Sequence, residues 1–157
     1  MAGSMVHTVL DPASGRRAGD AGARATAIGL LLSLAVVALL TLTPEGQGWA
    51  WGSPAAEARW YLTGLDSTAT ALQLAGNLAL LAVPAALTVL RWPRLAALPV
   101  LAALSLAVGA GIELLQWALP LGRVVSPLDA VLNATGAVVS GTLAAHLQRG
   151  ARPAVSV

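Results

Sequence analysis

Residues 111–141 read GIELLQWALPLGRVVSPLDAVLNATGAVVSG, and their reading decides the fold of the whole chain. Glu113, Gln116, Arg123, Asp129 and Asn133 stand here among residues otherwise suited to facing lipid. An ionisable side chain at the centre of a membrane span costs roughly 2.5–3.5 kcal/mol on insertion scales, so each needs a partner or a purpose. Spacing supplies partners. Glu113 and Gln116 are three apart and share a helix face, while Asp129 and Asn133 are four apart and share another. Arg123 lies in the short connection between them, which Pro120, Gly122 and Pro127 break. The stretch therefore predicts two membrane helices joined by a turn, delivering five polar groups to one place.

Composition puts the rest of the chain in the same setting. The 157 residues are 57% apolar and only 10% charged, against about 25% charged in an ordinary soluble domain. That excludes disorder and points to the bilayer, with room for one domain. Nine arginines, no lysine and seven acids give a net charge of +2. No basic stripe exists and aromatics are few, so a nucleic-acid partner is excluded. The absence of cysteine removes disulfides, thiol catalysis and cysteine-ligated zinc. Abundant Ala, Gly, Leu, Arg and Pro without lysine is a composition of GC-rich bacterial genomes.

Outward from the central stretch, four spans are expected, at about 25–42, 69–90, 95–119 and 128–147. The first, Ala25 to Leu42, is an unbroken apolar run of 18 residues, enough for a hydrocarbon core of about 30 Å at 1.5 Å per residue. Pro54-Ala55-Ala56-Glu57-Ala58 faintly resembles a signal cleavage site, but the apolar core of a signal peptide is shorter, about 7–15 residues. A retained helix is the better reading. Residues 1–24 and 148–157 read as tails, the first of them flexible. Arg91-Trp92-Pro93-Arg94 forces spans two and three into an antiparallel hairpin. Residues 43–68 form the longest loop, broken by Pro44, Gly46, Gly48, Gly52 and Pro54. It carries Trp49, Trp51, Trp60 and Tyr61, rings that favour the headgroup level. Trp117 and Trp92 read as anchors at opposite interfaces.

Arginine placement orients the bundle. Seven arginines fall in the two tails and the 91–94 turn, whereas Arg59 and Arg123 alone occupy the other two loops. This asymmetry predicts an all-α integral membrane protein, a four-helix bundle with both termini cytoplasmic. Glu113 and Asn133 then sit roughly 8–9 Å inside the outer edge, and Gln73 and Asn77 of span two roughly 6–12 Å inside it. Six polar side chains from three spans share one depth, with Arg123 above them. If all ionise, Glu113 and Asp129 against Arg123 leave a charge of −1. A protonated acid, Arg59, a bound metal or a ligand amine would restore balance. Gly111, Gly136 and Gly141, with Ala107, Ser140 and Ala137, form small-xxx-small pairs for close helix packing. Pro84 should loosen span two.

At these residues the chain resembles the VanZ-like family, named for an accessory membrane protein of glycopeptide (teicoplanin) resistance. The matching pattern is Glu113-x-x-Gln116, Arg123, then Asp129-x-x-x-Asn133-x-x-Gly136, preceded by Asn77 and Pro84. It covers about residues 70–145. Relatives often carry Phe before the proline and Gly after it, where this chain has Ala82-Val83 and Ala85-Ala86. Relatives also often place an acid three residues after the arginine, where this chain has Ser126. The resemblance implies a multi-pass protein of the bacterial inner membrane with a role near the cell envelope.

Three functions fit. The first is non-enzymatic binding or envelope modulation, toward an amphiphile such as a glycopeptide or a lipid-linked wall precursor. The second is a small membrane enzyme using Glu113 or Asp129 for acid–base work, and the third a structural subunit whose buried charges fix helix packing. No cofactor is expected, although the Glu, Asp, Asn and Gln oxygens would suit a hard divalent cation. His7 and His146 lie too far from the cluster to complete a triad or a zinc site. The sequon Asn133-Ala134-Thr135 lies within a helix at membrane depth and is not a modification site.

Overall fold

A computed structural model describes residues 12–151 of the chain. The readings made for residues 1–11 and 152–157 lie outside the described residues. Helix α1 runs Pro12–Leu42, so the segment expected as a tail is helical from Pro12 onward. Pro12 stands in the first turn, where its missing N–H costs nothing, and Ala13, Arg16, Arg17, Ala18, Ala21, Ala23 and Arg24 are strong helix formers. The second span comprises α3 (Thr68–Leu80) and α4 (Ala82–Arg91). They meet at Leu81 because Pro84 cannot donate to the Leu80 carbonyl and its ring crowds that position. The ladder resumes where the Ala85 N–H donates to the Leu81 carbonyl at 3.0 Å. A 3-10 turn, Pro93–Ala96, leads into α5 (Leu98–Ala118), and α6 runs Pro127–Gly150.

Four helical segments are long and apolar enough to cross a membrane: Gly19–Leu42, Thr68–Arg91, Leu98–Ala118 and Pro127–Gly150. Helix α6 is the hub, packed against α3, α4 and α5, while α1 leans chiefly on α4. Small residues allow these approaches. A Cβ on Gly136 would run into the Leu78 backbone, and one on Gly109 would meet the Ala130 carbonyl at 2.7 Å. Gly141 sits against Leu101 and Val89. Gly111 does not act this way: a Cβ there would meet nothing within 4 Å. Its face of α5 is turned from α6, and Gly109 makes the close approach instead. Buried Val37, Leu81, Ile112 and Ala137 form one core layer, and Val89, Leu101 and Ala145 a second.

The long connection is more ordered than a loop. It holds strand β1 (Trp49–Trp51) and helix α2 (Pro54–Thr63). Strand β1 pairs in parallel with β2 (Arg123–Val125), in register Trp49↔Arg123, Ala50↔Val124 and Trp51↔Val125. Gly122 has φ +70°, and a Cβ there would overlap the Gly46 backbone, so glycine is required where these two connections cross. The two connections are thereby fastened at one end of the bundle. Trp49 packs there against Trp117, ring centroids 6.4 Å apart. At the opposite end the Arg91 guanidinium lies 5.3 Å from the Trp92 ring.

Candidate functional site

Where α1 and α5 end and α3 and α6 begin, the helices enclose a cavity of about 560 Å³. Gln73 and Asn77 of α3, Glu113 and Gln116 of α5, Arg123 of β2, and Asp129 and Asn133 of α6 all line it. Glu113, Gln116 and Asn133 are buried, Asn77, Arg123 and Asp129 half-buried, and Gln73 exposed.

Ser126 organises one side. It caps α6, with Pro127 in the first turn, and its Oγ accepts from the Asp129 N–H at 3.2 Å. Its own N–H donates to Glu113 Oε2 at 2.7 Å, and its hydroxyl donates to Glu57 Oε2. One residue thus engages two carboxylates from two other helices. Glu57 thereby brings a carboxylate from α2 to the start of α6.

Asp129 forms the second group. Its Oδ1 accepts from Asn77 Nδ2 at 2.5 Å and from the Tyr61 hydroxyl at 3.3 Å, and Asn77 Nδ2 also reaches the Tyr61 oxygen at 3.3 Å. Tyr61, on α2 outside the spans, has its phenol pushed up to about 12, first by burial and next by the negative charge of Asp129.

Arg123 serves α1. Its Nη2 donates to the Leu40 carbonyl at 2.9 Å and its Nε to the Thr43 carbonyl at 3.1 Å, and it pairs with Glu45 at 2.9 Å. Gln116 Nε2 donates to the Thr41 carbonyl at 3.0 Å. These carbonyls lie at the negative end of the α1 dipole, where a cation is stabilising. Arg123 therefore shares the cavity with Glu113 and Asp129 without bonding to either. Nor does Arg59 supply the missing charge, because it lies on another face of α2 beside Ala55, Ala56 and Thr63. The cavity is lined by Glu57, Glu113 and Asp129, each met by neutral donors.

Asn133 Oδ1 is the unsatisfied atom. The residue is 2% exposed, and this oxygen has no hydrogen-bond partner among the described residues. A buried polar atom left so costs about 1–3 kcal/mol. Among the described residues, no cluster of three His, Asp or Glu side chains is placed to hold a metal ion. His146 is exposed near the far end of α6.

Sequence reasoning missed Glu45, Glu57, Tyr61 and the role of Ser126. A signal for α2 was present: Ser53-Pro54 with Glu57 in the first turn marks a helix start, and Glu57 and Tyr61, four apart, share its face. Nothing local marks Glu45 as the partner of Arg123, 78 residues further along the chain.

No curated protein and no solved structure matches the chain. The model of the VanZ/LLP1 family does match, over residues 29–148, a range that takes in most of the first apolar helix and the other three. The chain is a multi-pass membrane protein that belongs to the VanZ/LLP1 family.

Proposed function

We propose that this protein resides in the bacterial cell membrane with both termini cytoplasmic and its cavity toward the outer leaflet. There it binds, without chemical conversion, the hydrogen-bond-donating part of an amphiphile, and so modulates the envelope. A glycopeptide or a lipid-linked wall precursor is the ligand class. The observation that carries this reading is the unpartnered Asn133 Oδ1, buried in the wall of a cavity. An arriving N–H or O–H would satisfy it once the Asn133 amide turns toward the cavity, and an arriving cation would balance Glu57, Glu113 and Asp129. About 560 Å³ is the size of a site for a drug-sized group, so a large amphiphile would insert only part of itself.

Acid–base chemistry by Glu113 or Asp129 is the rival within the same cavity. Both carboxylates already accept bonds from neutral protein donors, an arrangement that suits holding charge more than passing protons. The test substitutes Glu113→Gln, Asp129→Asn and Asn133→Leu singly, each close in shape to the original. Membrane abundance and the glycopeptide susceptibility of a host are then compared. Binding predicts abundance within about twofold of the parent and loss of the susceptibility change. A fall in abundance for all three would make the cluster a packing device. Turnover of a labelled wall lipid, abolished by the two acid substitutions alone, would make the protein an enzyme.

A further inference from the structure

The walls of the cavity are unequal. On the side formed by α5 and α6, Ile112, Glu113, Gln116 and Asn133 are buried. On the side formed by α1 and α3, the lining residues Leu40, Gln73 and Gly76 are exposed, Leu40 by 58%. A Cβ on Gly76 would meet nothing within 4 Å, so open space lies in front of it. Helix α1 leans on α4 and makes little contact with α3. The gap between α1 and α3 is therefore the mouth.

Its depth decides what can use it. Gln73 and Gly76 lie five and eight residues into the span that begins at Thr68, roughly 8 and 12 Å along the helix axis. The mouth is at hydrocarbon depth and is flanked by exposed Val36 and Leu39 of α1 and Leu72 of α3. Above the cavity, α2 is tied down through Tyr61 to Asp129 and through Glu57 to Ser126. The β1–β2 pair covers the neighbouring connection. These elements cover the loop end only in part, since the lining residues Glu45, Trp60 and Val124 are exposed there, and access from the side is open.

We infer that the cavity is filled from within the bilayer, through the α1–α3 mouth, by a membrane-resident amphiphile carrying an ammonium head. The ammonium is selected because Arg123 and Glu45 pair with each other, leaving three carboxylates and the Asn133 oxygen without a cation. At low dielectric these attract a positive head strongly. The chain of such a ligand stays among the lipids, so the site needs no full enclosure. This inference rests on the binding reading above, and its failure can be told apart from failure of that reading.

The chain has no cysteine, so Leu40→Cys with Gly76→Cys places a unique thiol pair across the mouth. A short bis-methanethiosulfonate bridges the pair, and reductant releases it. The probe is a long-chain primary alkylamine with a diazirine beside the amine, added to the full-length protein in phosphatidylcholine nanodiscs. Photolabelling of the peptides around Glu113–Gln116 and Asp129–Asn133 is read by mass spectrometry. We expect bridging to lower labelling at least tenfold, reduction to restore it, and either single-cysteine variant to label fully. Gly76→Trp, whose ring projects into open space, should give the same loss without a bridge. Labelling that persists with the mouth bridged or filled would overturn lateral access while leaving amine binding intact. Equal labelling by the matching long-chain alcohol would overturn selection of the ammonium. Absence of labelling by either probe in the unbridged protein would overturn the binding reading itself.

Discussion

Ser126 and Tyr61 hold the carboxylates of the cavity in place, and each of the two residues reaches two other elements. Ser126 ends the β2 connection, starts α6, and gives its N–H and O–H to Glu113 and Glu57. Tyr61 reaches from α2 to Asp129 and Asn77. A phenol so placed is a reporter, because the chain contains one tyrosine. Its midpoint is pushed up to about 12 by burial first and the Asp129 charge second. Spectrophotometric titration at the phenolate band should show no ionisation at pH 10, where a free tyrosine is half ionised. Asp129→Asn should lower the midpoint while leaving it above 10. The linkage has a definite sign. Below pH 10 both folded and unfolded states hold the proton. Between 10 and 12 the unfolded state releases it first, so the contribution of Tyr61 to stability falls as pH rises through that window. A midpoint at 10 in the folded protein would mean that the ring is neither buried nor near the carboxylate.

At the scale of elements, backbone approach separates glycines that a sequence pattern treats alike. Gly111 and Gly136 both belong to small-xxx-small pairs, but only Gly136 faces another backbone, that of Leu78 on α3. Gly136→Ala should therefore cost about 1–3 kcal/mol, the usual range for overpacking a close contact. Gly111→Ala should be neutral or gain up to about 1 kcal/mol from helix propensity. Thermal unfolding in detergent, compared between the two variants, checks both; equal effects would remove the α3–α6 contact from the argument. The spans were legible because 18 or more apolar residues leave few alternatives, and Pro84 announced the break at Leu81. Strand β1 was not legible, because three residues carry too short a pattern, and α2, although its start was marked, gave no local sign that it roofs the cavity. Helix spacing singled out six polar residues, and Arg123 stood out by its place in the connection, whereas the bonding of all seven was not legible. Arg123 was expected over Glu113 and Asp129, yet the carbonyl ends of α1 and Glu45 hold it. That choice depends on α1, more than 80 residues earlier, and on a helix-end charge that no side chain reveals.

For the molecule as a whole, the consequential property is which face of the membrane carries the cavity. The connections at residues 43–67 and 119–126 gather at one end, fastened by β1 and β2. The Pro93–Ala96 turn and the end of α6 lie at the other. Arginines divide seven to two in favour of the second end, and an excess of positive loops is retained in the cytoplasm. In the orientation proposed above, the cavity opens in the outer leaflet. Ser53 and Ala97 are exposed at opposite ends, and Ser53 begins α2 without a side-chain cap bond. Ser53→Cys and Ala97→Cys should thus fold normally in this cysteine-free chain. Treated on intact spheroplasts with a membrane-impermeant maleimide, Ser53→Cys should label at least tenfold more than Ala97→Cys, and permeabilisation should equalise them. The opposite pattern would turn the cavity toward the cytoplasmic leaflet. An amphiphile delivered to the outer leaflet would then have to cross the bilayer before meeting Asn133, so the proposed ligand, and not only the orientation, would have to change.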